Sequence, residues 1–314
     1  MSRLVLKVAA TEMLSPLVRR LRLVHPEGQP LPIFSGGAHV TVEMPDDGVL
    51  RRNSYSLISD PADGSGYEIA VRREAAGRGG SRYLHDRVAE GDLLTVHPPA
   101  NLFALDLRGR RHVLIAGGIG ITPFLSQIRQ LDRAGQSWEL HYAVRTRAEA
   151  AALPLLPQGA VHLYVSGEGA RLDPAAILDG QPLGTHVYTC GPDRLIAAVG
   201  VAARALGWPE AAIHAETFAA PPPGAPFRVT LAGSGRVIEV GAAQSLLEAL
   251  EAAEVAIDWS CRGGACGRCE TRVTACDGRI LHHDHWLGEA ERASQTRIMP
   301  CLSRFEGARL ELDL

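Results

Sequence analysis

The stretch that decides the fold is Cys261-Arg262-Gly263-Gly264-Ala265-Cys266-Gly267-Arg268-Cys269, with a further cysteine, Cys301, 32 positions beyond it. The spacing C-x4-C-x2-C followed by one distant cysteine is that of a plant-type [2Fe–2S] cluster, in which one loop supplies three thiolates and a separate segment the fourth. Glycines at 263, 264 and 267 suit a backbone that must wrap closely round a cluster and aim N–H groups at its sulfurs. Arg262 and Arg268 stand where they could offset part of the negative charge of a tetrathiolate centre. A structural zinc site is the competing reading, but zinc knuckles pair cysteines two apart and not across a four-residue gap. Cys276 fits no ligand position and reads as a partly buried structural thiol. His282-His283-Asp284-His285 lacks the i, i+4 histidines of a helical metal site and reads as a solvated loop.

Working outward, four prolines between residues 219 and 226 stiffen the chain and mark a linker. Beyond it, residues 227–231 and 236–240 read as a hairpin around Gly233-Ser234-Gly235, residues 245–253 as a helix and residues 309–314 as a closing strand. This is an α+β module of ferredoxin type, assigned to residues 223–314. Upstream, residues 112–116 form a continuous apolar run, followed by helical spacing over 123–134. Runs over 139–144, 161–166 and 185–190 and a helix over 192–206 continue the alternation. Strands alternating with helices predict a doubly wound parallel sheet over residues 105–222. The first 104 residues carry short alternating runs at 4–6, 18–24, 39–43, 67–72 and 93–97, separated by glycine- and proline-rich turns. They predict an antiparallel β-barrel.

Composition narrows the function. The 314 residues are 46% apolar and 21% charged with a net charge of −3, so no global positive field attracts nucleic acid or an anionic membrane. Lys7 is the single lysine, which removes a P-loop lysine and disfavours Schiff-base chemistry. The longest apolar stretch, residues 113–125, is too short and too glycine-rich to span a bilayer. No signal-peptide core opens the chain, and the thiols are clustered. The chain therefore reads as soluble and cytoplasmic.

Two turns in the middle module point to a nucleotide. Gly117-Gly118-Ile119-Gly120-Ile121-Thr122-Pro123 joins a buried strand to a helix, and its glycines let backbone approach a phosphate, with Thr122 as a cap and Pro123 in the first turn. Cys190-Gly191-Pro192 ends a second strand in the same way, and two such ends in one open sheet make a crevice. In the first module, Tyr55-Ser56-Leu57 ends a strand, Ala70-Val71-Arg72 lies on another, and Gly79-Gly80-Ser81 precedes a helix over 81–88. Tyr55 could stack on a flat ring, Arg72 could neutralise a phosphate, and Ser81 could cap the helix as an anion site.

Together these segments resemble the phthalate dioxygenase reductase family, with Asn101-Leu102-Phe103 and Glu216-Thr217-Phe218 as further matches. The resemblance covers nearly the whole chain in the order flavin barrel, nicotinamide domain, ferredoxin. It implies FMN rather than FAD, held by Tyr55, Ser56, Leu57, Ala70, Val71, Arg72, Gly79, Gly80 and Ser81. It implies NAD(P)H bound by Gly118, Gly120, Thr122, Pro123, Arg145, Cys190, Gly191 and Pro192. It places Thr122 near the flavin ring, Cys190 near the nicotinamide and Phe218 beside the isoalloxazine, and makes Cys261, Cys266, Cys269 and Cys301 the cluster ligands. One departure stands out. The family pattern is Arg-x-Tyr-Ser, but Asn53 takes the arginine's place and Arg52 precedes it, facing the other side of a strand. Arg72, with Arg78, is expected to carry the phosphate charge.

Electron counting explains three centres. NADH delivers a hydride, a [2Fe–2S] cluster accepts one electron, and a flavin converts the pair into single electrons. The expected acceptor is a terminal oxygenase, of Rieske non-haem iron type by the resemblance, met through a small transient contact by a monomeric reductase. A haem monooxygenase or another acceptor is the alternative, as is a redox-sensing binding protein without turnover. NADH is expected over NADPH from the family, although Arg145-Thr146-Arg147 carries no acidic residue to select a free 2′-hydroxyl.

Overall fold

The computed structural model describes residues 3–46, 49–150, 152–156, 159–218 and 222–314. They form two compact units, residues 1–217 and 218–314. Residues 219–221 of the expected linker and residues 47–48 of an expected turn lie outside the described residues.

The first unit opens with six antiparallel strands: β1 (Leu4–Ser15), β2 (Val18–Val24), β3 (His39–Asp46), β4 (Val49–Ser56), β5 (Tyr67–Arg72) and β6 (Leu93–Val96), in sheet order β4-β3-β6-β1-β2-β5. An antiparallel bridge between Leu57 and Ile69 joins the two edges, so the sheet closes on itself. Alternation does the work. On β5, Tyr67, Ile69 and Val71 point into a core with Leu6, Leu21, Val40 and Leu84, while Ala70 and Arg72 point out. The helix α1 (Gly80–Asp86) lies across the barrel. The strand β4 is the least apparent in sequence, because Arg51-Arg52-Asn53-Ser54 shows no apolar alternation. Pairing with β3 holds it.

The same unit continues into five parallel strands: β7 (Arg111–Gly117), β8 (Ser137–Val144), β9 (Val161–Val165), β10 (Thr185–Cys190) and β11 (Ile213–Glu216), in order β11-β10-β7-β8-β9. The helix α2 (Thr122–Arg133) covers one face, while α3 (Pro174–Leu178) and α4 (Asp193–Ala205) cover the other. Leu114 and Ala116 pack with Phe124 and Ile128 of α2, whereas Val113 and Ile115 pack with Leu178 and Val199. A strand buried on both faces needs apolar residues at every position, which is why 112–116 reads as an unbroken run. Barrel and sheet share the α2-side core through Ile58, Ala70 and Phe103. Hydrogen bonds join them too, from Gly37 N–H to Ser126 Oγ at 3.0 Å and from Gln127 Nε2 to the Phe103 carbonyl at 2.6 Å.

The second unit is a five-stranded mixed sheet of β12 (Phe227–Leu231), β13 (Val237–Val240), β14 (Thr271–Leu281), β15 (Arg297–Ile298) and β16 (Arg304–Leu312), in order β13-β12-β16-β14-β15. The helix α5 (Leu246–Ala252) packs Leu246, Ala249 and Leu250 onto it and begins in a capping box between Ser245 and Glu248. A short helix, α6 (Glu289–Ser294), precedes β15. No helix among the described residues is long and apolar enough to cross a membrane.

Candidate functional site

The cluster loop runs between α5 and β14, and Cys301 follows β15, so two segments converge on one spot. Cys261, Cys269 and Cys301 are buried and Cys266 is half-buried. The thiols interact in two pairs, Cys261 with Cys266 and Cys269 with Cys301. Sharing with Cys261 pulls the Cys266 thiol down, helped by backbone N–H groups, while Cys261 and Cys301 are pushed up by the same sharing and by burial. Four sulfurs in two pairs, beside backbone donors such as Gly263 N–H at 3.3 Å from Cys261 Sγ, suit two irons bridged within one tetrathiolate. Two glycines are required by geometry. Gly264 (φ 71°) and Gly267 (φ 72°) adopt left-handed backbone, and a Cβ at Gly264 would stand 2.6 Å from Leu302 Cδ1, at Gly267 2.6 Å from Trp286 Cζ2.

Two expectations around this loop need correction. Arg262 is committed to a carboxylate. It makes a part-buried bidentate pair with Glu251 of α5 (2.9 and 2.7 Å) and lies 4.5 Å from the Trp259 ring centre. A guanidinium in an apolar setting takes the fixed carboxylate nearest to it. Asp284 is not in a solvated loop either. Its side chain is fully enclosed and accepts from the N–H groups of Trp286 (3.2 Å) and Leu287 (2.9 Å) and from Ser303 Oγ (3.3 Å). The adjacent His285 N–H donates to the Gly264 carbonyl at 3.0 Å, so this run buttresses the cluster loop from behind. Cys276 lies on β14, with its thiol 3.7 Å from the Gly278 carbonyl.

In the first unit, β7 and β10 are parallel neighbours whose following helices lie on opposite faces of the sheet, which is where such sheets open a crevice. The turns after the two strands interlock backbone to backbone. A Cβ at Gly120 would overlap the Cys190 carbonyl oxygen and stand 2.5 Å from its carbon and 2.7 Å from Gly191 N. A Cβ at Gly117 would stand 2.7 Å from Pro192 Cδ, and one at Gly191 would stand 2.9 Å from Gly117 Cα. Gly118, at φ 55°, has open space over its Cβ position. Thr122 does not cap α2. It is already helical, and its hydroxyl donates to the Ile119 carbonyl at 3.0 Å, because a short 3-10 turn over Gly118–Ile121 precedes the helix. Pro123 does occupy the first turn.

Cys190 is fully buried, and burial raises its thiol well above the usual range, with the Glu216 charge adding to the effect. Glu216 is its register partner on β11. Burial pushes the Glu216 carboxyl up to about 8, and Oε2 is enclosed with no hydrogen-bond partner among the described residues. The crevice thus ends in a neutral thiol beside a carboxyl that holds a proton at neutral pH. In the sequence, Glu216 shows only as the first residue of a matching tripeptide.

A cleft of ≈ 210 Å³ opens between barrel and sheet, lined by Ala70 and Arg72 from β5 and by Gly118, Thr122, Thr146 and Glu149. Arg145 stands exposed just past β8, with its N–H donating to the Glu149 carboxylate at 3.2 Å. On β4, period-two alternation puts Arg51, Asn53 and Tyr55 on one face. Asn53 donates to the Tyr55 hydroxyl (3.3 Å), whose ionisation burial pushes up to about 12, and its side chain covers Gly80. The arginine against the Gly79 backbone is Arg51, whose Nε would stand 2.8 Å from a Cβ there. Arg52 is held on the other face by Glu43 at 2.9 Å. Ser81 is not the cap of α1. That position falls to Gly79 (φ 109°), and the Ser81 hydroxyl accepts from Glu74 N–H at 3.1 Å. Leu57 and Val71 turn their side chains into the barrel core, whereas Ser56 Oγ is buried with no hydrogen-bond partner among the described residues. That orphaned hydroxyl leaves one polar atom beside the end of β4 for a ligand to satisfy. Phe218 is the first residue of the second unit and is half-exposed.

Residues 229–306 match the 2Fe-2S iron-sulfur cluster binding domain family, and residues 93–213 match the dimethylamine monooxygenase subunit DmmA-like N-terminal domain. The chain is 48% identical over 311 residues to the heme-dependent oxidative N-demethylase beta subunit of Ectopseudomonas mendocina, covering 98% of each. It is 37% identical to the phthalate dioxygenase reductase of Burkholderia cepacia, covering 98% of this chain and 97% of that one. A solved structure of phthalate dioxygenase reductase, described as modular for electron transfer from pyridine nucleotides to [2Fe-2S], superposes with a TM-score of 0.88 at 37% identity. The match covers 100% of this chain and 98% of that one.

Proposed function

This chain belongs to the phthalate dioxygenase reductase family, and from that premise we propose that it carries electrons from NADH through FMN and a [2Fe–2S] cluster to a terminal oxygenase. The observation that carries the reading is the coexistence in one chain of a four-thiol cradle and a glycine-lined crevice ending in Cys190 and Glu216. When bound, the flavin accepts the hydride and hands on single electrons, which the cluster relays.

The chain's own residues supply position and electrostatics. Gly118 and Gly120 admit the dinucleotide backbone, with Pro123, Gly191 and Pro192 shaping the turns around it. Cys190 offers the nicotinamide an uncharged wall, and Glu216 keeps a proton next to it. Ser56 Oγ supplies a buried polar contact to the flavin, Tyr55 flanks its ring system, and Leu57, Ala70 and Val71 give it main chain and small surface. The family resemblance assigns Phe218 a place beside the isoalloxazine. Gly79, Gly80 and Ser81 receive the phosphate, with Arg72 and Arg78 as its expected counter-charges and Arg51 as the arginine already lying against that turn. Glu149 in the cleft wall supports NADH over NADPH, because a carboxylate repels a 2′-phosphate. The reductase works as a monomer through a transient contact.

The family resemblance points to a Rieske oxygenase as acceptor. A haem monooxygenase is the second reading, favoured by the 48% identity to a heme-dependent N-demethylase subunit. The test is the purified holoprotein. It is expected to show a flavin chromophore and a rhombic electron paramagnetic resonance signal after dithionite, and to reduce cytochrome c with NADH. Electron uptake by a Rieske and by a haem oxygenase then separates the two partners. Absence of either chromophore, or no turnover with NADH, overturns the proposal.

A further inference from the structure

On β8, alternation divides the side chains between two environments. Leu140 and Tyr142 pack into the core under α2, and Glu139 and His141 share the opposite face. The neighbouring edge strand β9 places His162 directly beside His141 in register. We propose that Glu139, His141 and His162 form a binding site for a borderline divalent cation such as Zn2+, separate from the redox centres. Their ligand atoms lie within 4.8 Å of one another.

The second observation is an orphaned nitrogen. The His141 side chain is 8% exposed, its Nδ1 is 2.9 Å from the Tyr164 hydroxyl, and its Nε2 is enclosed without a hydrogen-bond partner among the described residues. That Nε2 stands 3.6 Å from Glu139 Oε1. The separation is long for a hydrogen bond, but two ligand atoms each about 2.1 Å from a shared tetrahedral ion stand about 3.4 Å apart. The Tyr164 contact is of the kind that orients a metal-binding imidazole, with Nδ1–H directed outward and the Nε2 lone pair inward. His162 is exposed, with its ring stacked 4.8 Å from that of His141, so rotation about its side-chain bonds completes the third position and leaves a fourth to solvent.

The surrounding charges are accounted for. Arg111 binds the other carboxylate oxygen, Oε2, at 2.7 Å, and Gln181 Nε2 donates to Oε1 at 2.8 Å, so the carboxylate is fixed in direction while Oε1 keeps a lone pair. Burial shifts His141 towards the neutral form that ligates. Two imidazoles and one carboxylate select zinc-like cations over calcium or magnesium, which prefer all-oxygen sets. The bound ion would staple β9, paired on one side only among the described residues, to β8.

The experiment is calorimetric titration of the purified holoprotein with zinc alone, with thermal unfolding alongside. The expected result is one equivalent bound and a raised Tm. In His162→Ala the affinity falls about tenfold or more and the Tm rise disappears, while His162→Cys restores both. A variant combining His283→Ala and His285→Ala is expected to bind like the parent, and the cluster absorption should not change on titration. No binding, binding indifferent to His162→Ala, or binding lost in the His283/His285 variant overturns the proposal.

Discussion

Replacing Gly120 by alanine tests whether the two glycine turns form one rigid crevice. The new Cβ would overlap the Cys190 carbonyl oxygen and stand 2.5 Å from its carbon and 2.7 Å from Gly191 N, where ordinary contact begins at 3.4 Å. All three atoms are backbone, so no side chain can swing aside, and one turn must retreat by about 1 Å. Overpacking of this kind costs about 1–3 kcal/mol, and a cost of 2 kcal/mol lowers the Tm of a unit this size by about 4–8 °C. The larger effect is on function. A displacement of about 1 Å at a reacting centre costs on the order of a hundredfold in rate. Stopped-flow reduction of the flavin by NADH is the assay, with cluster content as the internal control because the four cysteines lie in the other unit. A variant with unchanged Tm and parental hydride transfer would show that the turns are not interlocked and refute the reasoning.

Two further outcomes follow from the buried charges. The folded-state carboxyl of Glu216 is raised to about 8 from an ordinary value of 4.5, so the stability of its protonated form is complete below about 4.5 and is lost as pH rises towards about 8. Each pH unit in that window costs the folded state about 1.4 kcal/mol, and Glu216→Gln, free of NADH, is expected to flatten this part of the Tm–pH profile; an unaltered slope sinks the assignment. Arg262→Ala leaves the part-buried Glu251 carboxylate without its bidentate partner, the two side chains being 7% and 15% exposed, and should destabilise the cluster-bearing unit by about 1–3 kcal/mol in thermal unfolding. An unchanged unfolding profile would mean the pair is not held as described.

What was legible in the sequence was local. The cysteine spacing, the glycine turns after 116 and 190 and the unbroken apolar run at 112–116 each express a requirement met within a few residues: ligand geometry, close backbone approach or burial on both faces. The helix caps were less legible, since Thr122 and Ser81 are cap-forming residues that the chain places one or two positions inside their helices. Everything set through space needed the tertiary structure. Glu216 becomes a proton-holding group only because β11 lies beside β10, and desolvation has no signature in a linear sequence. Arg262 is paired with Glu251, Asp284 is enclosed and not solvated, and Arg51 meets the Gly79 turn because strand pairing set which face of β4 it occupies. Residue types and spacings thus determined which cofactor chemistry the chain is built for. Packing decided which of its charges are spent on structure and which are left for function, because the energy of a charge depends on the groups around it and not on its neighbours in the chain.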